Sequence, residues 1–315
     1  MTDHLVEPSA SAGRLVKRPG LSFGSWAFAF GPYEADPWSF ERICRWLAEV
    51  GYDAVEINGF HPHPNDADFH TSSDYEPLRR LLDETGLAIS GFAPDFTAAP
   101  PADVPEADYV SRLDSCLDFC EQLGIGTLRV DSISAPGPVD AGRFEHLAAT
   151  WRSSAQRAAD RGVRLVWEFE PGFWINRPSD VLRLLQTVDH PNFRVMFDTS
   201  HAYTGAVAGG RQGSDPELLP GGVVEYARML REYVGALHLI DSRGDLHDDE
   251  TSEHLPFGTG RVDFDAVIDA LGPVALDLPW WTIDFCFWPE TERDAVDAVP
   301  FVRDLRDSAL RRAGR

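Results

Sequence analysis

Four ionisable side chains stand at or just after the ends of four successive predicted strands. They are Glu168, Asp198, His238 and Asp284. Three carboxylates brought close together would repel one another, and a divalent cation removes that penalty. Three oxygen donors and one imidazole favour Mn²⁺ and are also compatible with Mg²⁺, Co²⁺ or Zn²⁺. The sequence therefore predicts a site for one divalent metal ion.

A divalent ion beside a carboxylate suits the removal of a proton α to a carbonyl group. The segment 59–64 supplies two candidates for the base, because His61 and His63 each precede a proline in it. Prolines stiffen such a loop. Either histidine could act as a general base over the pocket, or the two could form a simple surface pair.

Aromatic residues lie at or just past several predicted strand ends, among them Trp26, Trp174 and Trp281. Part of this aromatic set packs the protein core. Aromatic side chains on loops that follow strands also suit stacking on a sugar face or on a flat aglycone. We therefore expect these three tryptophans to contact substrate.

A regular alternation of short apolar runs and longer amphipathic runs positions these side chains. The apolar runs predict eight strands, at 21–28, 52–57, 87–92, 125–130, 163–169, 193–197, 235–240 and 281–285. The amphipathic runs predict eight helices, at 37–50, 73–85, 106–123, 141–161, 178–188, 216–233, 263–271 and 290–312. This alternation indicates an α/β protein with a parallel sheet, and eight units in about 290 residues fit a single closed (β/α)₈ TIM barrel. The active site of such a barrel lies at the C-terminal ends of its strands.

The alternative fold is a doubly wound open sheet. No Gly-x-Gly-x-x-Gly motif follows the first predicted strand, which argues against a dinucleotide-binding version of it. We interpret residues 1–19 as a flexible leader and residues 20–315 as one barrel domain.

Composition excludes several function classes. Lys and Arg number 28 against 51 Asp and Glu, so the formal net charge is −23 and phosphate backbones and anionic lipids are poor partners. Lys17 is the single lysine, and it precedes the first strand, where it suits neither Schiff-base, pyridoxal-phosphate nor phosphate-loop chemistry. The N-terminus lacks the basic and apolar stretches of a signal peptide, and no apolar run approaches the length of a membrane span. We expect a cytoplasmic protein without a nucleic-acid or membrane partner.

Four segments carry a resemblance to a known family: GVRLVWE at 162–168, FDTSH at 197–201, HLID at 238–241 and FGTGRVDF at 257–264. With them, nearly the whole chain resembles the xylose isomerase-like TIM-barrel superfamily. That superfamily includes ketose 3-epimerases, hydroxypyruvate isomerase, inosose-processing enzymes, endonuclease IV and the catalytic subunits of C-glycoside deglycosidases. The order and spacing of the segments are specific for the superfamily and say little about the activity.

The resemblance implies roles for individual residues. Glu168, Asp198 and His238 match three metal ligands of the family, and Asp284 stands where the fourth ligand is normally a glutamate. The family resemblance also implies Glu168 and Asp284 for the acid–base step. The shorter side chain of Asp284 implies either that the ion shifts or that the acid–base role of this position moves elsewhere. Three other matching residues are implied to face the substrate, and they are His201, Arg243 and Glu56.

The resemblance and the aromatic residues together favour a C-glycoside deglycosidase-type enzyme, a carbon–carbon lyase that eliminates an aromatic aglycone from a 3-keto-glycoside. That branch works with a small second subunit, and self-association into a homo-oligomer is the alternative. A ketose 3-epimerase or an aldose–ketose isomerase stays open as the alternative activity. More remote are a metal-free retaining glycosidase that uses Asp131 and Glu168, and a non-catalytic carbohydrate-binding subunit. The net charge argues against an endonuclease IV-like activity.

Overall fold

Eight parallel strands close into a barrel in the computed structural model, which describes residues 18–213, 215–248 and 250–315. The barrel strands are β1 (Gly20–Gly24), β2 (Ala54–Gly59), β3 (Ala88–Pro94), β4 (Thr127–Val130), β5 (Arg164–Glu168), β6 (Phe193–Asp198), β7 (Val234–Leu239) and β10 (Trp280–Ile283). Their order around the barrel is β1, β10, β7, β6, β5, β4, β3 and β2. The predicted TIM barrel is confirmed, whereas residues 1–17 of the predicted leader lie outside the described residues.

Helices surround the barrel and follow its strands along the chain. They are α1 (Phe40–Val50), α2 (Glu76–Thr85), α3 (Glu106–Leu123), α4 (Ala141–Asp160), α5 (Pro178–Val188), α6 (Thr199–Tyr203), α7 (Gly222–Leu230), α8 (Phe264–Leu271), α9 (Pro273–Asp277) and α10 (Thr291–Arg312). Among the described residues, no helix is both long and apolar enough to cross a bilayer.

Alternation along each strand separates the core from the site. Trp167 points outward to the helix layer, where its ring centroid lies 5.3 Å from that of Trp151 in α4. The next residue, Glu168, therefore points into the barrel, because neighbouring side chains on a strand face opposite sides. The same alternation turns Trp281 outward, and its indole nitrogen donates to the carbonyl oxygen of Ala275 in α9 at 2.8 Å.

The structure adds two short helices, α6 and α9, that were not predicted, and several element ends differ by one to three residues. Three differences are larger. The first strand ends at Gly24 instead of residue 28, because Ser25–Phe28 turn into a 3₁₀ helix. The predicted helix 216–233 is shortened to Gly222–Leu230, and Pro220 and two glycines occupy its first predicted turns. A two-stranded hairpin of β8 (Leu246–His247) and β9 (Thr251–Ser252), with no counterpart in the prediction, covers the C-terminal end of the barrel.

Candidate metal and active site

The structure brings the four predicted metal ligands together at the C-terminal end of the barrel. One potential ligand atom from each of Glu168, Asp198, His238 and Asp284 lies within 4.8 Å of the others, and all four residues are buried. The strand register explains this convergence. Asp198 of β6 is paired directly with His238 of β7, and His238 is paired with Thr282 of β10, two residues before Asp284.

Atoms that have no hydrogen bond face the centre of this cluster. Asp198 Oδ2, Glu168 Oε1 and His238 Nδ1 are all buried without a hydrogen-bond partner. Glu168 Oε1 and His238 Nδ1 lie 3.0 Å apart as an ion pair, without a hydrogen bond between them. Buried polar atoms are rarely left without partners. The free atoms and the donor set of three carboxylates and one imidazole therefore fit a divalent cation such as Mn²⁺.

Glu56 orients the imidazole of His238. Its Oε2 lies 3.1 Å from His238 Nε2 and also accepts a hydrogen bond from Thr282 Oγ1 at 3.1 Å. A metal-binding histidine commonly donates its second ring N–H to a carboxylate, which leaves the other nitrogen free for the ion. The side chain of Glu56 lies behind His238 and is absent from the described lining of the cavity, and its contact with substrate stays a prediction.

Three donors hold one oxygen of Asp284. Trp26 Nε1 donates to Asp284 Oδ1 at 2.7 Å, the backbone N–H of Cys286 donates at 2.9 Å, and His254 Nδ1 lies at 3.2 Å. The other oxygen, Oδ2, is 3.5 Å from His238 Nδ1 in the cluster. Asp284 is thus fixed with one oxygen toward the ligand set.

Arg129 provides a positive charge within the site. Its Nη1 lies 2.5 Å from Glu168 Oε2, and its Nη2 donates to Asp131 Oδ2 at 3.1 Å. Asp131 is buried under this guanidinium and is absent from the described cavity lining. This placement weakens the glycosidase alternative, in which Asp131 and Glu168 would both have to face a substrate.

The charges in the cluster shift its pKa values in opposite directions. Burial opposes ionisation of Glu168, but Arg129 and His238 lower its pKa to about 2. Burial also raises the pKa of Asp198. The pKa of His238 is raised well above its ordinary value, because the attraction of Glu56 and Glu168 outweighs the effect of burial. Without a cation, the cluster therefore holds a proton on the imidazole that a metal ion would have to displace.

A cavity of about 360 Å³ opens above the cluster, a volume typical of small-molecule sites. Glu168 and Asp284 line it, as does His201, a residue predicted to contact substrate. His201 Nδ1 lies 2.6 Å from Ser252 Oγ, and its Nε2 is 3.7 Å from Glu170 Oε2. A larger open depression of about 830 Å³ is lined by Gly126, Thr127, Arg164 and other residues at the starts of the strands, away from the end where barrel chemistry occurs.

A second group of candidate ligands adjoins the first. Asp198, His201 and His254 each offer an atom within 4.8 Å of the others. Asp198 Oδ1, however, already accepts the backbone N–H groups of Ser200 and His201, at 2.7 and 2.8 Å. Its single free oxygen would have to serve both groups, so the two groups together fit one cation and not two.

The two histidines of the 59–64 loop do not reach the cavity. The side chain of His61 is 73% exposed and pairs with Asp68 at 3.5 Å. His63 is buried, with Nδ1 3.2 Å from Ser25 Oγ and Nε2 3.1 Å from the carbonyl oxygen of Trp38. Both rings are thus engaged outside the described lining of the cavity, and a general-base role for either stays a prediction.

Of the remaining residues predicted to contact substrate, one lines the cavity and three do not. Trp26 lines the cavity, whereas Trp281 is buried in the helix layer. Trp174 is also buried, with Nε1 donating to the carbonyl oxygen of Pro138 at 3.2 Å and the guanidinium of Arg143 4.0 Å from its ring centroid. Arg243 is exposed, and its Nε donates to the carbonyl oxygen of Thr259 at 3.2 Å. Trp174, Trp281 and Arg243 are absent from the described lining of the cavity, and their contact with substrate stays a prediction.

Among the polar residues that sequence reasoning missed, Arg129 and His254 contact the ligand cluster directly, through Glu168 and Asp284. Arg129 is the third residue of β4, so alternation along that strand was a usable signal. His254 follows the β8–β9 hairpin in an irregular segment, where no periodicity predicts the direction of a side chain. Its Nε2 is buried without a partner.

The fold and the site define the class of protein: an eight-stranded barrel that gathers three carboxylates and an imidazole at its C-terminal end. The chain belongs to the xylose isomerase-like TIM barrel family, whose model matches residues 44–304.

Relatives within that family carry names of sugar-modifying enzymes. The chain is 22% identical to an inosose dehydratase of Lacticaseibacillus casei over 294 residues, which cover 85% of this chain and 87% of that protein. It is 25% identical to a ketose 3-epimerase of Arthrobacter globiformis, over 73% of this chain and 72% of that protein. The protein is accordingly an enzyme of a sugar isomerase, epimerase and dehydratase family.

Solved structures share the fold. An L-ribulose 3-epimerase superimposes with a TM-score of 0.68 at 18% identity, covering 94% of this chain and 97% of that one. The probable 3-DHS dehydratase of petrobactin synthesis from Bacillus anthracis gives a TM-score of 0.68 at 16% identity, covering 90% of this chain and 98% of that one.

Proposed function

We propose that this protein is a divalent-metal-dependent enzyme that removes a proton α to the carbonyl group of a keto-sugar or 3-keto-glycoside. The observation that carries the proposal is the buried cluster of Glu168, Asp198, His238 and Asp284, with unpartnered atoms turned toward its centre and with Glu168 and Asp284 lining the cavity. A bound divalent ion supplies Lewis-acid stabilisation of the negative charge that develops on the substrate. Mn²⁺ is the favoured ion.

Glu168 is the proton acceptor in this proposal. Its Oε1 has no hydrogen bond, while its Oε2 is held by Arg129. When the α C–H bond breaks, its electron pair moves toward the carbonyl oxygen and the proton passes to Glu168. Asp284 acts mainly as a ligand, because three donors already occupy its Oδ1. His201 lines the cavity, where its ring can bind a substrate oxygen.

The specific reaction that we propose is elimination, in which the electron pair expels a substituent from the neighbouring carbon. A C-glycoside deglycosidase-type lyase would in this way break the bond to an aromatic aglycone of a 3-keto-glycoside, and the aglycone would take up a proton from water as it leaves. Support comes from relatives that are named dehydratases, since loss of water is also an elimination. Aromatic side chains in the cavity lining give further support.

Epimerisation is the second candidate reaction, favoured by the relative named ketose 3-epimerase. In that reaction the proton returns to the opposite face of the same carbon. Aldose–ketose isomerisation, in which the proton moves to the next carbon, stays an alternative, and a non-catalytic carbohydrate-binding subunit is more remote. A cytoplasmic location and assembly as a homo-oligomer or with a small second subunit stay predictions.

Deuterium exchange tests the chemistry that all these reactions share. The protein is purified without added metal, its metal content is measured, and it is incubated in D₂O with ketoses, an inosose and oxidised aromatic C- and O-glycosides. NMR follows deuterium at the α carbon and the formation of products, before and after chelation and after Mn²⁺ addition. We expect about one divalent ion per chain and exchange that is lost on chelation and restored by Mn²⁺.

Two variants complete this test. Glu168→Gln should lower exchange and turnover by about 10²–10⁴-fold, the usual contribution of a general base, and it should also weaken metal binding. The control Glu76→Gln alters an exposed glutamate of α2 and should behave as the wild type. Full activity in metal-free protein or in Glu168→Gln would contradict the proposal. The substrate that reacts then distinguishes elimination from epimerisation.

A further inference from the structure

One side of the cavity carries partly exposed phenylalanines. Phe30, Phe60 and Phe287 all line the cavity and are only half-buried, and we call these three the aromatic wall. The ring centroid of Phe30 lies 5.6 Å from that of Phe60, in an edge-to-face arrangement, and 6.2 Å from that of Phe287, in a stacked one. By contrast, core rings such as Phe23 are fully buried. The aromatic wall therefore presents ring surface to whatever occupies the cavity.

The backbone holds Phe287 in place at a conformational cost. Its φ is +63°, in the left-handed region that bulky residues rarely adopt. Gly31 permits this position, because a Cβ atom there would lie 2.9 Å from the Phe287 ring. His247 of the hairpin stacks on the other side, with ring centroids 4.5 Å apart and planes 13° from parallel. Backbone strain of this kind persists where the surroundings over-determine it, often at ligand sites.

The charged residues that line the cavity indicate which groups the aromatic wall could bind. Five carboxylates line the cavity, and they are Glu168, Glu170, Asp248, Glu250 and Asp284. Among the described lining residues, Arg129 is the one Arg or Lys, and it is already paired with Glu168 and Asp131. The proposed divalent ion and His254 would carry positive charge at the ligand cluster, whereas an anionic group held against the aromatic wall would meet repulsion from Glu170, Asp248 and Glu250.

We propose that the aromatic wall is a subsite for a flat, uncharged, apolar group attached to the polyol part of the substrate, with Phe287 as the residue that selects it. This inference rests on the proposed function, and it names the substrate class as neutral aryl-bearing glycosides. The polar floor binds the polyol, while the group attached to it packs against the exposed edges of Phe287, Phe30 and Phe60. Edge contacts with aromatic side chains and exclusion of water favour such a group over a methyl substituent.

Direct binding measurements with unreactive probes test the subsite. Titration calorimetry on the full-length protein in Mg²⁺ compares phenyl β-D-glucopyranoside, methyl β-D-glucopyranoside and phenyl β-D-glucuronide. We expect the phenyl glucoside to bind about tenfold more tightly than the methyl glucoside, which corresponds to about 1.4 kcal/mol. We expect the glucuronide, which adds a carboxylate, to bind at least tenfold more weakly than the phenyl glucoside.

Variants connect the preference to the aromatic wall. Phe287→Gly removes the ring, and because glycine adopts a positive φ readily, the backbone conformation at this position should be unchanged. It should reduce the phenyl-to-methyl affinity ratio to below threefold, and Phe60→Ala, which leaves Phe287 intact, should reduce the ratio less. The control Phe301→Ala removes a ring that stacks on Phe257 outside the cavity, and it should preserve the ratio. Thermal unfolding checks that each variant folds.

Several outcomes would overturn the subsite. They are equal affinity for the phenyl and methyl glucosides, an unchanged ratio in folded Phe287→Gly, binding of the glucuronide as tight as that of the phenyl glucoside, and no binding of the phenyl glucoside at about 20 mM. These measurements need no turnover. If deuterium exchange fails but the phenyl preference is found, the proposed reaction is wrong and the subsite stands, whereas the reverse result removes the subsite alone.

Discussion

His61 and His63 stand two positions apart in the chain, each before a proline, yet their environments are opposite. The ring of His63 is buried between Ser25 and the Trp38 carbonyl, while that of His61 is largely exposed. Sequence spacing alone assigned both to the pocket, because burial depends on residues 25 and 38 packing across the loop. Their different burial has a measurable effect on stability.

Buried His63 should make stability depend on pH. Burial lowers its pKa to about 4, against an ordinary value of 6.5. As the pH falls below about 6.5, His63 becomes protonated in the unfolded chain, whereas in the folded protein it stays neutral until about pH 4. The free energy of unfolding therefore decreases between these two pH values. From pH 7 to pH 5 the contribution is about 2 kcal/mol.

Urea unfolding of His63→Gln at both pH values should therefore show a smaller loss than the wild type, by about that amount. His61→Gln is the matched control and should follow the wild type. An identical pH dependence in wild type and His63→Gln would show that the burial of His63 is not thermodynamically important.

Arg129 is the cation that compensates two buried carboxylates, Glu168 and Asp131. Removal of one partner from a buried ion pair typically costs about 3–5 kcal/mol, because a charge is left uncompensated. We expect Arg129→Met to destabilise the chelated protein by about 3 kcal/mol. A bound divalent ion would compensate Glu168, so the loss should be smaller when Mn²⁺ is present.

Urea titrations of wild type and Arg129→Met, with EDTA and with Mn²⁺, measure this difference. A loss that is the same with and without Mn²⁺ would mean that Arg129 and the ion do not act on the same carboxylate.

At the scale of elements, strand periodicity predicted the barrel and the convergence of its four ligands. That prediction succeeded because the direction of a strand side chain follows from its position alone, as Glu168, Asp198 and His238 illustrate. It failed where chain direction depends on tertiary packing. The β8–β9 hairpin and His254 after it occupy a loop without periodicity, and the turn after β1 interrupts a run of apolar residues that reads as a longer strand.

The turn after β1 depends on a close approach at Gly24. A Cβ atom on Gly24 would lie 2.2 Å from the indole of Trp26, which donates to Asp284 Oδ1. Gly24→Ala should displace this indole and destabilise the protein by about 1–3 kcal/mol, the usual cost of overpacking. Because Asp284 loses a donor, metal affinity should fall by about 10–100-fold.

Unfolding by urea and metal titration of the variant measure the two effects. Gly126→Ala is the control, since a Cβ atom there would meet nothing within 4 Å. If Gly24→Ala is destabilised but binds metal as tightly as the wild type, the turn after β1 does not control the geometry of the metal ligands.

At the scale of the whole molecule, metal binding should be linked to folding. Three carboxylates from β5, β6 and the end of β10 meet in a buried position. An ion that binds them in the folded barrel, but not in the unfolded chain, stabilises the folded state. At a concentration of free ion one hundred times its Kd, the gain is about 2.7 kcal/mol. For a domain of this size that gain corresponds to a rise in Tm of about 5 °C.

The formal charge of −23 complicates this measurement, because any divalent cation also screens general repulsion. Thermal unfolding in Mn²⁺ at constant ionic strength separates the two effects. A specific site saturates at one ion per chain, and its stabilisation should largely disappear in Glu168→Gln while Glu76→Gln retains it. A rise in Tm that never saturates, or that persists in Glu168→Gln, would assign the stabilisation to the acidic surface and leave the cluster without a demonstrated ion.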